Sequence, residues 1–486
     1  MSDLDKYFEK FRKNIIGYKH KYITPFGEKE LTYADWVASG RLYKPIEDKI
    51  AKEFGPFVAN THTETSETGM LMTNSYHYAQ NIIKKHVNAD ENDVLISVGF
   101  GMTSAINKFQ RILGIKYCGR ENKFCKSNED KPVVFVTHME HHSNHTSWLT
   151  SIADVVMIEP DKDFLVDLND LEAKLKQYKN RKFKIGAFTA ASNVTGIIPP
   201  YHKMAKIMHQ HGGVCFIDFA MAAPYVNIDM HPTDPMENLD AITFSPHKFL
   251  GGPGSSGVLI FNSSLYNREI PDNPGGGTVN WTNAWNEYSF VDDIEIREDG
   301  GTPGFLQTIR TALAIKLKEE MGVENIRKRE HEILKIVFDR FSKIKGINVL
   351  ANDQIDRLGA VSFYHKDIHF NLIVKLLSDM YGIQVRGGCA CAGTYGHYML
   401  NVSYEESKRI TKNIEAGDLS EKPGWVRLSV HPAMTDKEIT FIMDSIEEIV
   451  NKHKEFAEYY HYSPKTNEYT YKEKYNRIDY KKWFEL

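Results

Sequence analysis

At 486 residues the chain is longer than one small core requires and calls for two or three packed units. Its 60 basic and 64 acidic side chains leave a net charge of -4 with no long block of either sign, which argues against a nucleic-acid or anionic-membrane partner. No apolar run approaches the roughly 20 residues of a membrane helix. The start lacks an apolar secretory core, Asp3, Asp5 and Glu9 count against a mitochondrial leader, and five cysteines form an odd set, so a cytosolic chain is expected.

Residues 1–45 read as an N-terminal segment that packs on a small domain. From about 90 to 300, short β-branched runs alternate with turns rich in Gly, Ser, Asn and His and with segments of helical period. That alternation defines an α/β fold with a mostly parallel central sheet, placed in a large domain at 46–303. Strands are predicted at 94–98, 133–137, 155–158, 184–189, 214–217 and 241–245. After Pro303 a long helical stretch runs to Ile344 and opens a smaller α+β C-terminal domain at 304–454. That domain has strands at 361–364 and 426–430 and helices at 370–380 and 437–452. The Tyr- and Lys-rich stretch 455–486 reads as a surface extension.

Ligands of open parallel sheets bind beyond the carboxyl ends of the strands, and the chemically suggestive residues fall there. Ser245-Pro246-His247-Lys248 closes a predicted strand and leads into a loop of glycines and hydroxyls. A lysine held in a dry pocket loses its proton more easily and its free amine can condense with an aldehyde. The bland alternative is a solvated turn lysine. A pyridine aldehyde needs an acid beside its ring nitrogen, and Asp218 follows an apolar strand; otherwise it is a helix cap or an ion-pair partner. Ala220 is small enough for a flat ring to lie against it. His141, in Glu140-His141-His142-Ser143-Asn144, is placed to stack on the other ring face, or is a turn histidine like His142. Asn193, before Val194-Thr195-Gly196, is either a donor to a ring hydroxyl or a plain turn residue. Gly99-Phe100-Gly101-Met102-Thr103-Ser104 joins strand to helix and makes a phosphate cradle. No metal site is expected, because Glu140-His141-His142 lacks ligand spacing on one helical face.

Taken in chain order, these residues resemble the pyridoxal 5'-phosphate (PLP) enzymes of fold type I. The resemblance is to the class V aminotransferase group that includes cysteine desulfurases and selenocysteine lyases, and it runs over roughly 43–452. The resemblance implies a PLP-dependent transferase-like large domain in which Lys248 carries the cofactor. It implies phosphate contacts from Ser245, His247 and Thr103, a ring-nitrogen acid at Asp218, a stacking His141 and a ring-oxygen partner at Asn193. It also implies a homodimer whose partner subunit lends the loop Gly275-Gly276-Gly277-Thr278 to the phosphate.

For a small amino-acid substrate, Arg427 resembles the family's carboxylate-gripping arginine, with Asn60 or His62 nearby. Arg386-Gly387-Gly388-Cys389-Ala390-Cys391-Ala392-Gly393 resembles the desulfurase loop, in which the cysteine five residues after the arginine, here Cys391, is the nucleophile. The implied reaction converts L-cysteine to L-alanine with a persulfide on Cys391, destined for a sulfur-acceptor protein. Two alternatives stand beside it: an aminotransferase or another PLP lyase or epimerase with bystander cysteines, and a non-catalytic scaffold that kept the fold. Three departures from the desulfurase pattern are Met221 in place of a glutamine, a long interval from Cys391 to Arg427, and the second thiol at Cys389.

Overall fold

The computed structural model describes every residue except Met1, His62, Glu64 and 117–128. It divides into a larger unit, Ser39–Ser192 with Ile198–Val323, and a smaller one, Met1–Ala38 with Asn193–Ile197 and Glu324–Leu486.

The larger unit is built on a seven-stranded sheet. Its strands are β1 (Asp93–Val98), β2 (Val133–Thr137), β3 (Asp154–Ile158), β4 (Lys184–Thr189), β5 (Val214–Asp218), β6 (Ala241–Phe244) and β7 (Gly257–Asn262), in spatial order β1-β7-β6-β5-β4-β2-β3. Strands β3, β2, β4, β5 and β6 are mutually parallel, and β7 runs antiparallel to both β6 and β1. The six predicted strands are present to within one residue at each end, and the mostly parallel sheet stands. The apolar run that becomes β7 is the addition.

Sheets of this kind are covered on both faces, which selects unbroken apolar runs over alternating ones. Val133, Val134, Phe135 and Val136 in β2 are accordingly fully buried, each contributing about 1.5–3 kcal/mol. Helices α1 (Glu67–His86), α2 (Met102–Ile112), α3 (His142–Leu149), α4 (Leu168–Gln177) and α5 (Tyr201–Gln210) belong to this unit. The α2 residues Ala105, Ile106, Phe109 and Ile112 recur at helical period and pack with Ile96, Trp148, Phe216 and Leu259 in one core.

Helical texture after Pro303 resolves into two helices, α6 (Phe305–Met321) and α7 (Val323–Phe341), where a single one was expected. Gly322 takes a positive φ of 73°, which leaves the helical path, and its N–H closes on the Lys318 and Glu319 carbonyls, which ends α6. Ile309 and Ala312 of α6 pack on Met72 and Ala79 of α1. The smaller unit therefore resumes at Glu324 instead of 304.

In the smaller unit, β8 (Ile347–Val349), β9 (Ala360–His365), β10 (Arg386–Gly388) and β11 (Trp425–Ser429) form an antiparallel sheet in the order β8-β9-β11-β10. Helices α8 (Phe370–Tyr381), α9 (Tyr404–Glu415) and α10 (Asp436–Ala457) belong with it. The N-terminal segment is tied in by Thr32–Tyr33 pairing in parallel with Ile383–Gln384, by the Arg12 Nε donating to the Ala433 carbonyl, and by Asp5 accepting the Asp436 N–H at 3.3 Å.

The stretch after 455, expected as a surface extension, instead continues α10 and then folds into a hairpin of Tyr460–Ser463 and Glu468–Tyr471. Tyr460 lies opposite Tyr471 and Tyr462 opposite Tyr469, aromatic cross-strand pairs that reward strand formation. Asn371 of α8 donates to the Asn467 carbonyl and the Tyr460 hydroxyl to Asp379. The residues after the hairpin are largely exposed.

Candidate active site

Within the larger unit, the carboxyl ends of β1, β2, β5 and β6 bring together most of the expected cofactor residues. Asp218 is the last residue of β5, is 4% exposed and accepts the Ala220 N–H at 2.8 Å. Burial pushes its carboxyl up to about 6, opposed by that N–H and by the charge of Lys248. Lys248 therefore lies within electrostatic reach of Asp218. It sits half-buried in the 3-10 turn Pro246–Lys248 that follows β6. The glycines after it are steric necessities, since a Cβ on Gly252 would stand 1.8 Å from the Pro246 carbonyl oxygen. Ala220 and Met221 are both buried beside Asp218 in sequence.

The cradle expected at Gly99–Ser104 is the N-terminus of α2. The Ser245 hydroxyl accepts the Met102 N–H at 2.9 Å and so ties the end of β6 to the start of this helix. Gly101 faces both Ser245 and His247, and a Cβ there would lie 3.0 Å from the Ser245 Oγ and 3.6 Å from the His247 ring. A side chain at this position would crowd the Ser245 hydroxyl. Thr103 is exposed at the same helix end, and its hydroxyl meets that of Ser143 at 2.7 Å. Burial, and then the charge of Lys248, push His247 down to about 4, so it is a neutral donor or acceptor near neutrality. Helix-end amides, two hydroxyls and a neutral imidazole suit a phosphate. Asp218 near Lys248 suits a pyridine aldehyde, so the residues fit PLP.

His141 caps α3, its Nδ1 accepting the Ser143 N–H at 3.1 Å, which leaves the proton of the neutral ring on Nε2. Directly before it stands Glu140, a residue the sequence did not single out. Its buried carboxyl group accepts from the Thr137 hydroxyl at 2.6 Å, the Thr189 N–H at 3.0 Å and the Asn144 amide at 2.7 Å. It thereby pins β2, β4 and α3 where His141 emerges. Burial raises it to about 8 despite these donors, with the nearby Asp218 adding to the rise.

This has a measurable consequence. The native chain holds the Glu140 proton up to about 8, whereas an unfolded chain loses it near the ordinary 4.5. The native state then binds more protons than the unfolded one, so stability falls as pH rises across that window and levels off above it. Glu140→Gln is expected to remove this slope, worth on the order of a few kcal/mol, and to leave the smaller Asp218 slope between 3.8 and about 6. Thermal unfolding midpoints of the cofactor-free proteins across that pH range test it.

Thr278 does not join this cluster directly. Its hydroxyl donates to the Gly275 carbonyl at 2.7 Å and accepts the Gly275 N–H at 3.1 Å, in a loop whose glycines are exposed. Asn60 lies exposed in the segment before α1, and His62 is outside the described residues.

A second cluster belongs to the smaller unit. Arg386 in β10 and Arg427 in β11 are directly opposed in the ladder, a like-charge pairing that is unfavourable unless anions answer it. One answer is built in: Asp35 accepts from the Arg427 Nη2 at 2.9 Å, and the Asn193 carbonyl from its Nη1 at 3.2 Å. Arg427 is 2% exposed, and its Nε is buried with no partner among the described residues. Burial lowers its pKa, opposed by Asp35. An anion would satisfy that Nε. Sequence reading could not have found Asp35, which is 392 positions away.

Beyond β10 the chain turns at Cys389–Ala392, the Ala392 N–H bonding the Cys389 carbonyl at 3.0 Å. Ala390 and Cys391 both sit at positive φ, 50° and 58°, where a side chain costs roughly 1–2 kcal/mol per residue and Asn-Gly is the usual choice. Asn193 helps to hold this turn, its amide donating to the Ala390 carbonyl at 2.6 Å. That amide was expected at a ring oxygen; here it supports the thiol loop, and its Oδ1 is buried without a partner among the described residues. The Arg386 guanidinium lies 3.7 Å from the Cys391 sulfur.

Residues 32–442 match the model of the aminotransferase class-V family, and the chain belongs to that family. A probable cysteine desulfurase of Halalkalibacterium halodurans is 29% identical over 366 residues, 74% of this chain and 84% of the relative. One from Staphylococcus aureus is 28% identical over 368 residues, 75% of this chain and 84% of the relative. Among solved structures, the apo cysteine desulfurase of Thermococcus onnurineus matches with a TM-score of 0.72 at 21% identity, covering 91% of this chain and 98% of that one. The Escherichia coli cysteine desulfurase CsdA matches at 0.70 and 19%, over 91% and 98%. These likenesses establish a shared fold.

Proposed function

We propose that the protein is a PLP-dependent cysteine desulfurase that converts L-cysteine to L-alanine and leaves the sulfur as a persulfide on Cys391. The observation that carries this reading is the pairing of two residue sets in one chain. One is a lysine within reach of a buried ring-type acid; the other is a strained turn that presents a thiol beside two arginines. When bound, PLP supplies an electron sink for bonds broken at the substrate α-carbon.

The chain's own residues would do the rest. Lys248 would carry the cofactor through Nζ and, once displaced by the substrate amine, move the α-proton. Asp218 would hold a proton at the ring nitrogen, His141 would lie on the ring face, and the α2 amides with Ser245, His247 and Thr103 would hold the phosphate. Arg427 would bind the substrate carboxylate through its planar fork. The Cys391 thiolate would attack the substrate sulfur; the carbon–sulfur bond breaks, its electron pair stays with carbon and is protonated, and alanine leaves. The sulfur would then pass to an acceptor protein.

A cytosolic homodimer belongs to the same reading. It is supported by the exposed Gly275–Gly277 loop beside Thr278 and by free thiols at Cys215, Cys389 and Cys391. With L-cysteine, Cys391→Ala is expected to abolish persulfide and sulfide formation while sparing slow half-transamination of the cofactor. Cys389→Ala is expected to retain persulfide formation. Persulfide labelling alongside the cofactor spectrum decides between this and a transaminase, for which neither change has an effect.

A further inference from the structure

The turn beyond β10 carries two thiols, and the reading above uses one. Along Cys389-Ala390-Cys391-Ala392 the two alanines are buried and the two cysteines half-buried, so the turn carries two partly accessible cysteines two residues apart. The turn is closed by the Ala392 N–H on the Cys389 carbonyl at 3.0 Å. Residues two apart on so tight a turn fall within the roughly 4.4–6.8 Å Cα separation that a disulfide spans. Gly388, at φ 105°, has open space where a side chain would stand, which leaves Cys389 room to turn toward its neighbour.

We propose that Cys389 is a resolving thiol that discharges the Cys391 persulfide inside the same turn; this rests on the desulfurase reading. The Cys389 thiolate attacks the inner sulfur of Cys391. A Cys389–Cys391 disulfide forms, the bond to the outer sulfur breaks, and that sulfur leaves with its electron pair and a proton as hydrogen sulfide. The two electrons carried off by sulfide come from the thiol pair, which is oxidised. The enzyme stays closed until an external dithiol reductant returns two electrons by exchange. Sulfide output is thereby tied to the supply of reduced dithiol.

The experiment is a single turnover. PLP-loaded wild type and Cys389→Ser, freed of reductant, each receive one equivalent of L-cysteine. They are then trapped with iodoacetamide and mapped by peptide mass spectrometry, with sulfide measured in parallel. Wild type is expected to release close to one equivalent of sulfide and to yield a 389–391 peptide two hydrogens lighter. Cys389→Ser is expected to release at least tenfold less and to hold one extra sulfur on Cys391. In a second arm, cofactor-free wild type oxidised with one equivalent of diamide should form the same disulfide, which does not depend on desulfuration.

Persulfide retained equally in both proteins, or no disulfide with diamide, overturns the resolving role and leaves the desulfurase reading standing. No alanine and no sulfur on Cys391 in either protein overturns both.

Discussion

Lys248→Ala is expected to fold normally, to show no covalently held cofactor band, and to lose turnover by at least about a thousandfold, within the range a positioned acid–base group alone supplies. The Lys248 backbone N–H bonds the Ser245 carbonyl at 3.0 Å and the turn depends on Gly252, so neither structural element is lost with the side chain. Electrostatics gives an independent sign. The Lys248 charge lowers Asp218 against the rise caused by burial, so its removal lets the Asp218 carboxyl hold its proton to higher pH. In the cofactor-free variant, the Asp218 segment of the stability–pH curve should therefore extend above about 6. Turnover within tenfold of wild type, or an unchanged cofactor band, would overturn the assignment.

Arg427→Lys should act on binding. The guanidinium serves the Asn193 carbonyl and Asp35 at once, with Nε left over, and an ammonium has no planar fork to divide in this way. Losing one charge-assisted bond to the substrate carboxylate costs about 1.5–3 kcal/mol, roughly ten- to hundredfold in kcat/KM, carried mainly by KM. Steady-state kinetics with L-cysteine test this, with thermal unfolding as the control for the Asp35 pair. If KM is unchanged, the carboxylate is bound elsewhere.

The element pattern was legible because it is local. An unbroken run such as Val133–Thr137 is a buried strand wherever it is placed, and its end must be followed by a turn. Asp218, at the end of its strand, and His141, Ser245 and Lys248, past the ends of theirs, accordingly fall at the carboxyl end of one sheet by chain order alone. Other features were illegible because they depend on contacts through space. The Tyr-rich stretch became a hairpin by pairing rings across strands, and Glu140 gained its weight from Thr189, 49 residues away. The unusual turn at Cys391 is not encoded by turn residues, since Ala-Cys stands where Asn-Gly would relax it. It persists through distant support such as the Asn193 amide.

From its own residues the sequence determined the α/β class, the order of strands along the chain, and the lysine, acid and histidine that fall at their carboxyl ends, because strand, turn and helix preferences act over a few residues. The tertiary structure alone decided that Asp35 would anchor Arg427, that Asn193 would serve the thiol loop, and that Asp218 and Glu140 would share a dry interior. Burial and ion pairing are properties of neighbours that chain order does not name.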